Sequence, residues 1–366
     1  MFFEKNLQGH FCKILRNNQM FFAQNKAERN AFLTRRAKEM TKIAFYGTKS
    51  YDKIWFEPLA KEYDYQIRFI EGRLNEDTLP LSEGCLAVCT FVNNPITKTE
   101  IDGLNRMGVK VLLLRSAGYN HVDLKAAKGK LIVLRVPGYS PQAVAEFATG
   151  LLLSLNRRIH RAYVRTREFN MSIQGLMGRD LHGKIAGVIG TGRIGQAMIS
   201  ILQGFGMEIL AYDMHPADLP GVTYVKMDEL LARSDVVTLH CPLTKDTYHL
   251  IDKKALKKMK RGAYLINTSR GALVNAVDLM EELKSGHLGG VGLDVYEEED
   301  GVFYEDHSNQ PVEDDVLARL MSFPNVLITS HQGFFTEEAV RAIAITTLEN
   351  LRMYERGLPL VNQVIS

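Results

Sequence analysis

The chain has 366 residues, which is long for a single hydrophobic core and predicts two domains. Hydrophobic residues make up 46% of it and charged residues 24%, as in ordinary soluble globular proteins. The formal net charge of +3 argues against nucleic acid or a membrane surface as a partner, and no apolar stretch approaches transmembrane length.

Residues 1–39 differ from the rest of the chain, because they are basic, rich in Asn and Gln, and show no clear periodicity. We interpret them as a disordered N-terminal extension or as a segment upstream of the true start, since the pattern changes at Met40. The alternative is an amphipathic organelle-targeting segment, which Glu4, Glu28 and Glu39 argue against.

Between residues 41 and 137, short apolar runs alternate with spacers of helical length. Strands are predicted at 41–47, 66–70, 86–92, 109–114 and 131–136. This alternation predicts an open parallel α/β sheet of the flavodoxin type. A helix predicted over 336–353 is expected to pack back onto this sheet, so we assign residues 40–139 and 338–366 to a first domain.

A long helix predicted over 142–168 is expected to cross from the first domain to a second one. Further strands are predicted at 184–189, 207–213, 236–240, 264–267, 290–294 and 326–329. Residues 140–337 are therefore predicted to form a second open parallel α/β domain, inserted in the middle of the chain.

The four cysteines, Cys12, Cys85, Cys89 and Cys241, are scattered and show no spacing typical of a zinc site. Cys85 and Cys89 fall in an apolar stretch, where we expect buried thiols. This usage is typical of a reducing compartment, so we expect a cytoplasmic protein with no bound metal.

A glycine fingerprint, GVIGTGRIG, occupies residues 187–195 directly after a strand-like run and before a helical one. In a dinucleotide-binding Rossmann fold, the first glycine makes a tight turn, the second admits the pyrophosphate, and the third lets helix and strand pack closely. We assign these tasks to Gly190, Gly192 and Gly195. The pyrophosphate would lie at the helix N-terminus, where free amide groups favour an anion.

Asp213 ends the next predicted strand, about twenty residues after the fingerprint. A carboxylate at this position accepts hydrogen bonds from the adenosine ribose hydroxyls and repels a 2′-phosphate. The sequence therefore predicts NAD as the cofactor rather than NADP.

Three polar residues follow strands of the second domain: Arg270, Glu299 and His331. Ligands of open α/β sheets bind outside the carboxyl ends of the strands, so we expect these side chains to converge near the nicotinamide. Glu299 lies in an acidic run with Glu297 and Glu298, and spacing alone does not choose among the three.

Seven ordered motifs, from about Met40 to the C-terminus, carry a family resemblance: RSAGYNHVD at 115–123, VPGYSP at 136–141, the fingerprint, HCPLT at 240–244, NTSRG at 267–271, DVYE at 294–297 and SHQG at 330–333. With these motifs the chain resembles the D-isomer-specific 2-hydroxyacid dehydrogenases. The resemblance implies that the first domain binds the substrate and that Arg270, Glu299 and His331 are catalytic. A guanidinium binds a carboxylate, an imidazolium donates a proton, and a neighbouring carboxylate orients the imidazole.

The resemblance also implies the binding residues. Asp294 would hold the nicotinamide carboxamide, and Tyr139, in the VPGYSP loop, would contact the substrate. The other implied cofactor contacts are Arg193, Ile194, Cys241, Pro242, Thr268, Ser269 and Arg270. The other implied substrate contacts are Ala117, Gly118, Arg270 and His331.

The expected reaction is the reversible reduction of pyruvate to D-lactate by NADH, in a homodimer or homotetramer. Two alternatives stay open at this point. One is a dehydrogenase for bulkier 2-keto acids, which depends on the pocket around Tyr139, Phe334 and Phe335. The other, from a different class, is an NAD-sensing corepressor-like binding protein.

Overall fold

The computed structural model describes residues 40–365, which form two α/β domains, each built on one parallel sheet. The predicted fold class is therefore confirmed. The interpretation of residues 1–39 lies outside the described residues.

The first sheet has five strands in the order β2-β1-β3-β4-β5, the doubly wound order expected of the flavodoxin type. Its strands are β1 (Thr41–Tyr46), β2 (Tyr65–Ile70), β3 (Ala87–Thr90), β4 (Val111–Leu114) and β5 (Ile132–Leu134). Its helices are α1 (Ser50–Glu62), α2 (Lys98–Arg106) and α3 (Leu124–Ala127), with a 3₁₀ turn at Leu79–Ser82. We call this part the five-stranded domain.

The second sheet has seven strands in the order β12-β11-β10-β9-β6-β7-β8. Its strands are β6 (Ile185–Ile189), β7 (Glu208–Tyr212), β8 (Val222–Tyr224), β9 (Val236–Leu239), β10 (Tyr264–Asn267), β11 (Gly290–Leu293) and β12 (Val326–Ile328). Its helices are α6 (Arg193–Gly204), α7 (Met227–Arg233), α8 (Lys253–Lys258), α9 (Ala276–Lys284) and α10 (Asp315–Met321), with a 3₁₀ turn at Gly271–Leu273. The order reverses between β6 and β9, which makes the crevice there the expected ligand site. We call this part the seven-stranded domain.

Two helices connect the domains. α4 (Pro141–Asn156) packs against α6 and the strands β10 to β12, which places it on the seven-stranded sheet. α11 (Glu337–Glu355) packs against α1 and β4, so the C-terminal helix returns to the five-stranded sheet as expected.

The single long helix predicted over 142–168 was wrong. The helix ends at Asn156, and a second one, α5 (Ile159–Arg167), begins after Arg158, which has the left-handed φ of +54°. A left-handed residue cannot continue a right-handed helix, so the chain turns there. The two segments also differ in burial, because α4 is largely buried whereas α5 buries no residue completely.

A cluster of apolar side chains joins the two domains. It contains the buried residues Val136, Phe334, Val340 and Ile343, packed against Tyr51, Trp55, Phe91, Tyr139 and Tyr304. Phe91 and Val136 follow strands of the five-stranded sheet, and Tyr304 and Phe334 follow strands of the seven-stranded one. The carboxyl ends of the two sheets therefore face each other across one cleft. Among residues 40–365, no helix is long and apolar enough to cross a bilayer.

Candidate active site

A cleft of about 540 Å³ opens between the two domains. Its lining comes from loops that follow strands of both sheets, as expected for a site at the switch point of an α/β sheet. The predicted residues among its lining are Ala117, Gly118, Tyr139, Ile194, Cys241, Pro242, Thr268, Ser269, Arg270, Asp294 and His331. The structure thus brings most of the predicted site residues together.

The glycine loop has the geometry that a dinucleotide requires. Gly190 has a φ of +91°, and a Cβ there would lie 2.6 Å from the backbone nitrogen of Cys241. A Cβ at Gly195 would lie 2.0 Å from the carbonyl oxygen of Gly190, so neither position accepts a side chain. Gly192, by contrast, faces open space at the N-terminus of α6, where a pyrophosphate would meet free amide groups.

Asp213 follows β7, beside the glycine loop. Its Oδ2 accepts hydrogen bonds from the backbone nitrogen of Thr191 at 2.6 Å and from its hydroxyl at 3.0 Å. Its Oδ1 accepts one from the backbone nitrogen of His215 at 2.8 Å. Burial alone raises the pKa of Asp213, but these hydrogen bonds outweigh it and hold the pKa below its usual range. The carboxylate is therefore ionised at neutral pH.

One buried polar group in the cleft has no partner within the described chain. The hydroxyl of Thr268, a residue only 8% exposed, makes no hydrogen bond. Buried hydroxyls are nearly always paired, so this atom fits a polar group of a bound cofactor. Ser269 beside it donates to the carbonyl oxygen of Cys241 at 2.7 Å, which fixes the loops after β9 and β10. Residues 40–365 contain no cluster suited to a metal ion.

Arg270 lies at the contact between the two domains. A Cβ on Gly118, in the five-stranded domain, would lie 2.4 Å from Nη2 of Arg270. The absence of a side chain at Gly118 therefore lets the guanidinium approach the opposite wall of the cleft. Its Nη1 donates to the carbonyl oxygen of Ser269 at 2.6 Å, which steadies the side chain.

His331 and Glu299 form a hydrogen-bonded pair, with Nδ1 of the imidazole 2.8 Å from Oε1 of the carboxylate. The other carboxylate oxygen of Glu299 accepts from the backbone nitrogen of Tyr296 at 3.1 Å. The contact with His331 distinguishes Glu299 from its acidic neighbour Glu297, whose carboxylate contacts His249 instead. Within the described chain, Glu299 is the carboxylate that orients His331.

Two other histidines near the cleft are held neutral. Burial lowers the pKa of His240 to about 4. Burial, together with the charge of Arg270, also lowers the pKa of His121 to about 4. Neither has a carboxylate partner in the described chain, whereas His331 is paired with Glu299.

Asp294 is almost completely buried at the end of β11. Its Oδ1 accepts hydrogen bonds from the Thr329 hydroxyl at 2.6 Å and the Gln332 nitrogen at 2.9 Å, and its Oδ2 accepts one from the Gly333 nitrogen at 2.7 Å. Burial raises the pKa of Asp294, although these hydrogen bonds oppose the shift. Asp294 thus fixes the loop that carries His331, with one carboxylate lone pair left for a further donor.

A small inner chamber of about 30 Å³ adjoins the cleft and shares Ala117, Gly118, Tyr139, Arg270 and His331 with it. Phe334 also lines both, and the remaining walls are Phe91, Val92, Arg115, Ser116, Tyr304 and Ile343. Burial raises the pKa of Tyr139, so its phenol stays protonated. The sequence did not indicate Phe91, Arg115, Ser116, Tyr304 or Ile343 as site residues. Phe91 and Arg115 meet at the ends of neighbouring strands of one sheet, and the packing of the two domains adds Tyr304 to them.

Comparison with known proteins agrees with this geometry. The family model described as "D-isomer specific 2-hydroxyacid dehydrogenase, NAD binding domain" matches residues 149–333. The D-lactate dehydrogenase of Escherichia coli is 47% identical over 328 residues, which cover 88% of this chain and 100% of that protein. A 2-hydroxyacid dehydrogenase homolog of Haemophilus influenzae is 49% identical over 330 residues, 88% of this chain and 99% of that protein.

Solved structures agree as well. The apo-structure of the E. coli D-lactate dehydrogenase has a TM-score of 0.82 and 45% identity, covering 89% of this chain and 100% of that one. The pyruvate reductase of Chlamydomonas reinhardtii has a TM-score of 0.84 and 41% identity, covering 88% and 99%. The chain therefore belongs to the D-isomer-specific 2-hydroxyacid dehydrogenase family and is an NAD-dependent oxidoreductase.

Proposed function

We propose that this enzyme catalyses the reversible NADH-dependent reduction of pyruvate to D-lactate. The observation that carries the proposal is the inner chamber, whose wall combines one guanidinium, Arg270, with one carboxylate-paired imidazole, His331. A 2-keto acid presents a carboxylate, which a guanidinium binds, next to a carbonyl, to which an imidazolium can donate a proton. The D configuration and the choice of pyruvate also draw on the relatives, of which two are named D-lactate dehydrogenase and pyruvate reductase.

Each catalytic residue has one task in this proposal. Arg270 binds the substrate carboxylate through its planar fork of donors and fixes the neighbouring carbonyl. Glu299 accepts a hydrogen bond from Nδ1–H of His331, which leaves Nε2 to donate a proton to the keto oxygen in reduction and to take it back in oxidation. NADH, when bound, supplies the hydride for the keto carbon.

The chamber favours a small substrate. A cavity needs about 10–15 Å³ of volume open to water for each water molecule, so the 30 Å³ here accommodates two or three groups of that size. Larger side chains would have to displace Phe91, Tyr304 or Phe334. This is the physical reason to prefer pyruvate over branched 2-keto acids.

We propose the remaining assignments from the packing. Residues 40–139 and 338–366 would form the substrate domain and 140–337 the NAD-binding domain, which the packing of α4 and α11 supports. Gly190, Gly192, Gly195, Arg193 and Ile194 would hold the pyrophosphate, and Asp213 the ribose. The remainder of the cofactor would contact Cys241, Pro242, Thr268, Ser269, Arg270 and Asp294.

A homodimer is the assembly we propose, through the segment 159–177. This segment exposes Ile159, Tyr163, Val164, Phe169, Met171, Ile173 and Met177, with Phe169 88% and Met177 91% exposed. Apolar exposure this concentrated is unfavourable in water and typical of a protein interface. The free thiols of Cys85, Cys89 and Cys241 support a reducing compartment such as the cytoplasm.

The test is NADH oxidation with pyruvate and chiral analysis of the product, on the wild type and His331→Ala. We expect D-lactate from the wild type and a rate loss of at least about a hundredfold in the variant, because general acid catalysis contributes 10²–10⁴-fold. His182→Ala, at an exposed position away from the cleft, is the matched control and should keep the wild-type rate.

Other outcomes would contradict the proposal. Slow turnover of pyruvate with rapid turnover of a branched 2-keto acid would assign a bulkier substrate. Tight NADH binding without turnover of either would favour an NAD sensor.

A further inference from the structure

Tyr304 contacts His331 in two ways. Its hydroxyl donates a hydrogen bond to the backbone carbonyl oxygen of His331 at 2.9 Å. Its ring lies nearly parallel to the imidazole, with the ring centres 6.1 Å apart and the planes inclined by 29°. Tyr304 therefore restrains both the backbone and the ring of His331.

His331 needs such restraint, because its φ of +55° is left-handed, a conformation unfavourable for a residue other than glycine. Residues held in this region persist only where the surrounding structure fixes them. The hydrogen bonds of Asp294 fix the chain just after His331, at Gln332 and Gly333, and the Tyr304 hydroxyl fixes the carbonyl of His331 itself.

Tyr304 is itself held by the opposite domain. Its ring meets that of Phe91 edge to face, with the centres 5.3 Å apart, and its carbonyl oxygen accepts a hydrogen bond from Nζ of Lys49 at 3.2 Å. The carboxylate of the next residue, Glu305, forms ion pairs with the same domain. Its Oε2 lies 3.7 Å from Nζ of Lys49, and its Oε1 lies 3.3 Å from Nη2 of Arg73. Phe91, Lys49 and Arg73 all belong to the five-stranded domain, whereas His331 belongs to the seven-stranded one.

The Tyr304 hydroxyl is a dependable donor. Burial raises its pKa above the usual range, and the charges of Glu299 and Asp294 raise it further. The phenol therefore keeps its proton throughout the pH range of the reaction and can donate only one hydrogen bond, which goes to His331.

We propose that Tyr304 is a positioning residue, which holds His331 in its proton-transfer orientation and does so from contacts across the domain interface. This inference rests on the proposed role of His331 as acid and base. Tyr304 lies outside the Arg270, Glu299 and His331 set, and in this role it links the packing of the two domains to the geometry of the imidazole.

The test is Tyr304→Phe, which keeps the ring and removes the hydroxyl. We expect kcat for pyruvate reduction to fall about three- to tenfold, which corresponds to the usual net contribution of one such hydrogen bond. The KM for NADH should stay unchanged. In the His331→Ala background the same change should have no further effect on the residual rate, because the two substitutions act through one group. Tyr65→Phe, which removes the hydrogen bond from a buried tyrosine to Glu355 at 2.8 Å, is the matched control and should keep the wild-type kcat.

A second readout needs no turnover. In protein with ¹³C-labelled histidine, the His331 resonance, assigned by its absence in His331→Ala, should shift in Tyr304→Phe and stay in place in Tyr65→Phe. A resonance that does not move, or an equal loss of rate in the His331→Ala background, would overturn the positioning role. Failure of the wild type to reduce any 2-keto acid would instead contradict the proposed function, and the NMR comparison would still decide whether Tyr304 orients His331.

Discussion

Gly118→Ala probes the contact between the two domains, because the added methyl group would point at the guanidinium of Arg270. The new Cβ would lie 2.4 Å from Nη2, whereas ordinary contacts begin at about 3.4 Å. The guanidinium must therefore withdraw by about 1.0 Å, the difference between these two distances. Nη2 is the end of a flexible side chain and Gly118 does not have a left-handed φ, so the displacement costs little folding free energy.

The displacement of Arg270 should instead lower the catalytic rate. A misplacement of about 1 Å in a group that positions the substrate lowers the rate by about 10²-fold. We therefore expect kcat/KM for pyruvate to fall about a hundredfold, mainly through a higher KM, because Arg270 binds the carboxylate in the ground state as well. The dissociation constant for NADH should change much less than this, because most of the implied cofactor contacts lie elsewhere, and the thermal midpoint should stay close to that of the wild type.

Steady-state kinetics, NADH fluorescence titration and thermal unfolding measure these three quantities. Gly150→Ala is the matched control, because a Cβ there meets nothing within 4 Å and its φ is not left-handed. This control should be slightly more stable than the wild type and equally active. A Gly118→Ala enzyme with wild-type kcat/KM would refute the view that Arg270 holds the substrate carboxylate at this contact.

Two further predictions concern charge. Asp213→Asn removes the ionised carboxylate at the ribose position but keeps an oxygen that can accept from Thr191. The ratio of kcat/KM for NADPH to kcat/KM for NADH should therefore rise at least about tenfold. An unchanged ratio would contradict the role of Asp213 in cofactor choice. His240 and His121 have pKa values lowered from 6.5 to about 4, so the unfolded chain binds more protons between these values and stability falls as the pH drops through this window. At about pH 5 each histidine should lower the free energy of unfolding by roughly 2 kcal/mol relative to its value at neutral pH. Urea unfolding of His240→Gln should show a correspondingly weaker pH dependence, and an unaltered dependence would show that His240 is not held neutral.

The alternation of apolar strands and helices was sufficient to predict both sheets, because strands buried on both faces form continuous apolar runs. The glycine fingerprint could be interpreted residue by residue, since each glycine meets a local steric demand at Gly190, Gly192 or Gly195. Strand β8, by contrast, is short and not fully buried, so it left no comparable pattern. The break at Arg158 was also missed, because the residues around it favour helix on either side.

For the site, the order of strands along the chain was sufficient to predict that Arg270, Glu299 and His331 follow strands whose carboxyl ends meet at one edge. Without the family resemblance, spacing did not choose which carboxylate of the acidic run faces His331, because Glu297, Glu298 and Glu299 have identical side chains. The folded loop distinguishes them, since it directs Glu299 to His331 and Glu297 to His249.

The inner chamber and the contacts that hold Tyr304 against Phe91 and Lys49 likewise form only when the two domains pack together. Local sequence encodes strands, turns and glycine geometry, whose causes lie within a few residues. The chamber depends on contacts such as that between Phe91 and Tyr304, which are remote in the chain and follow from the packing of two separate sheets.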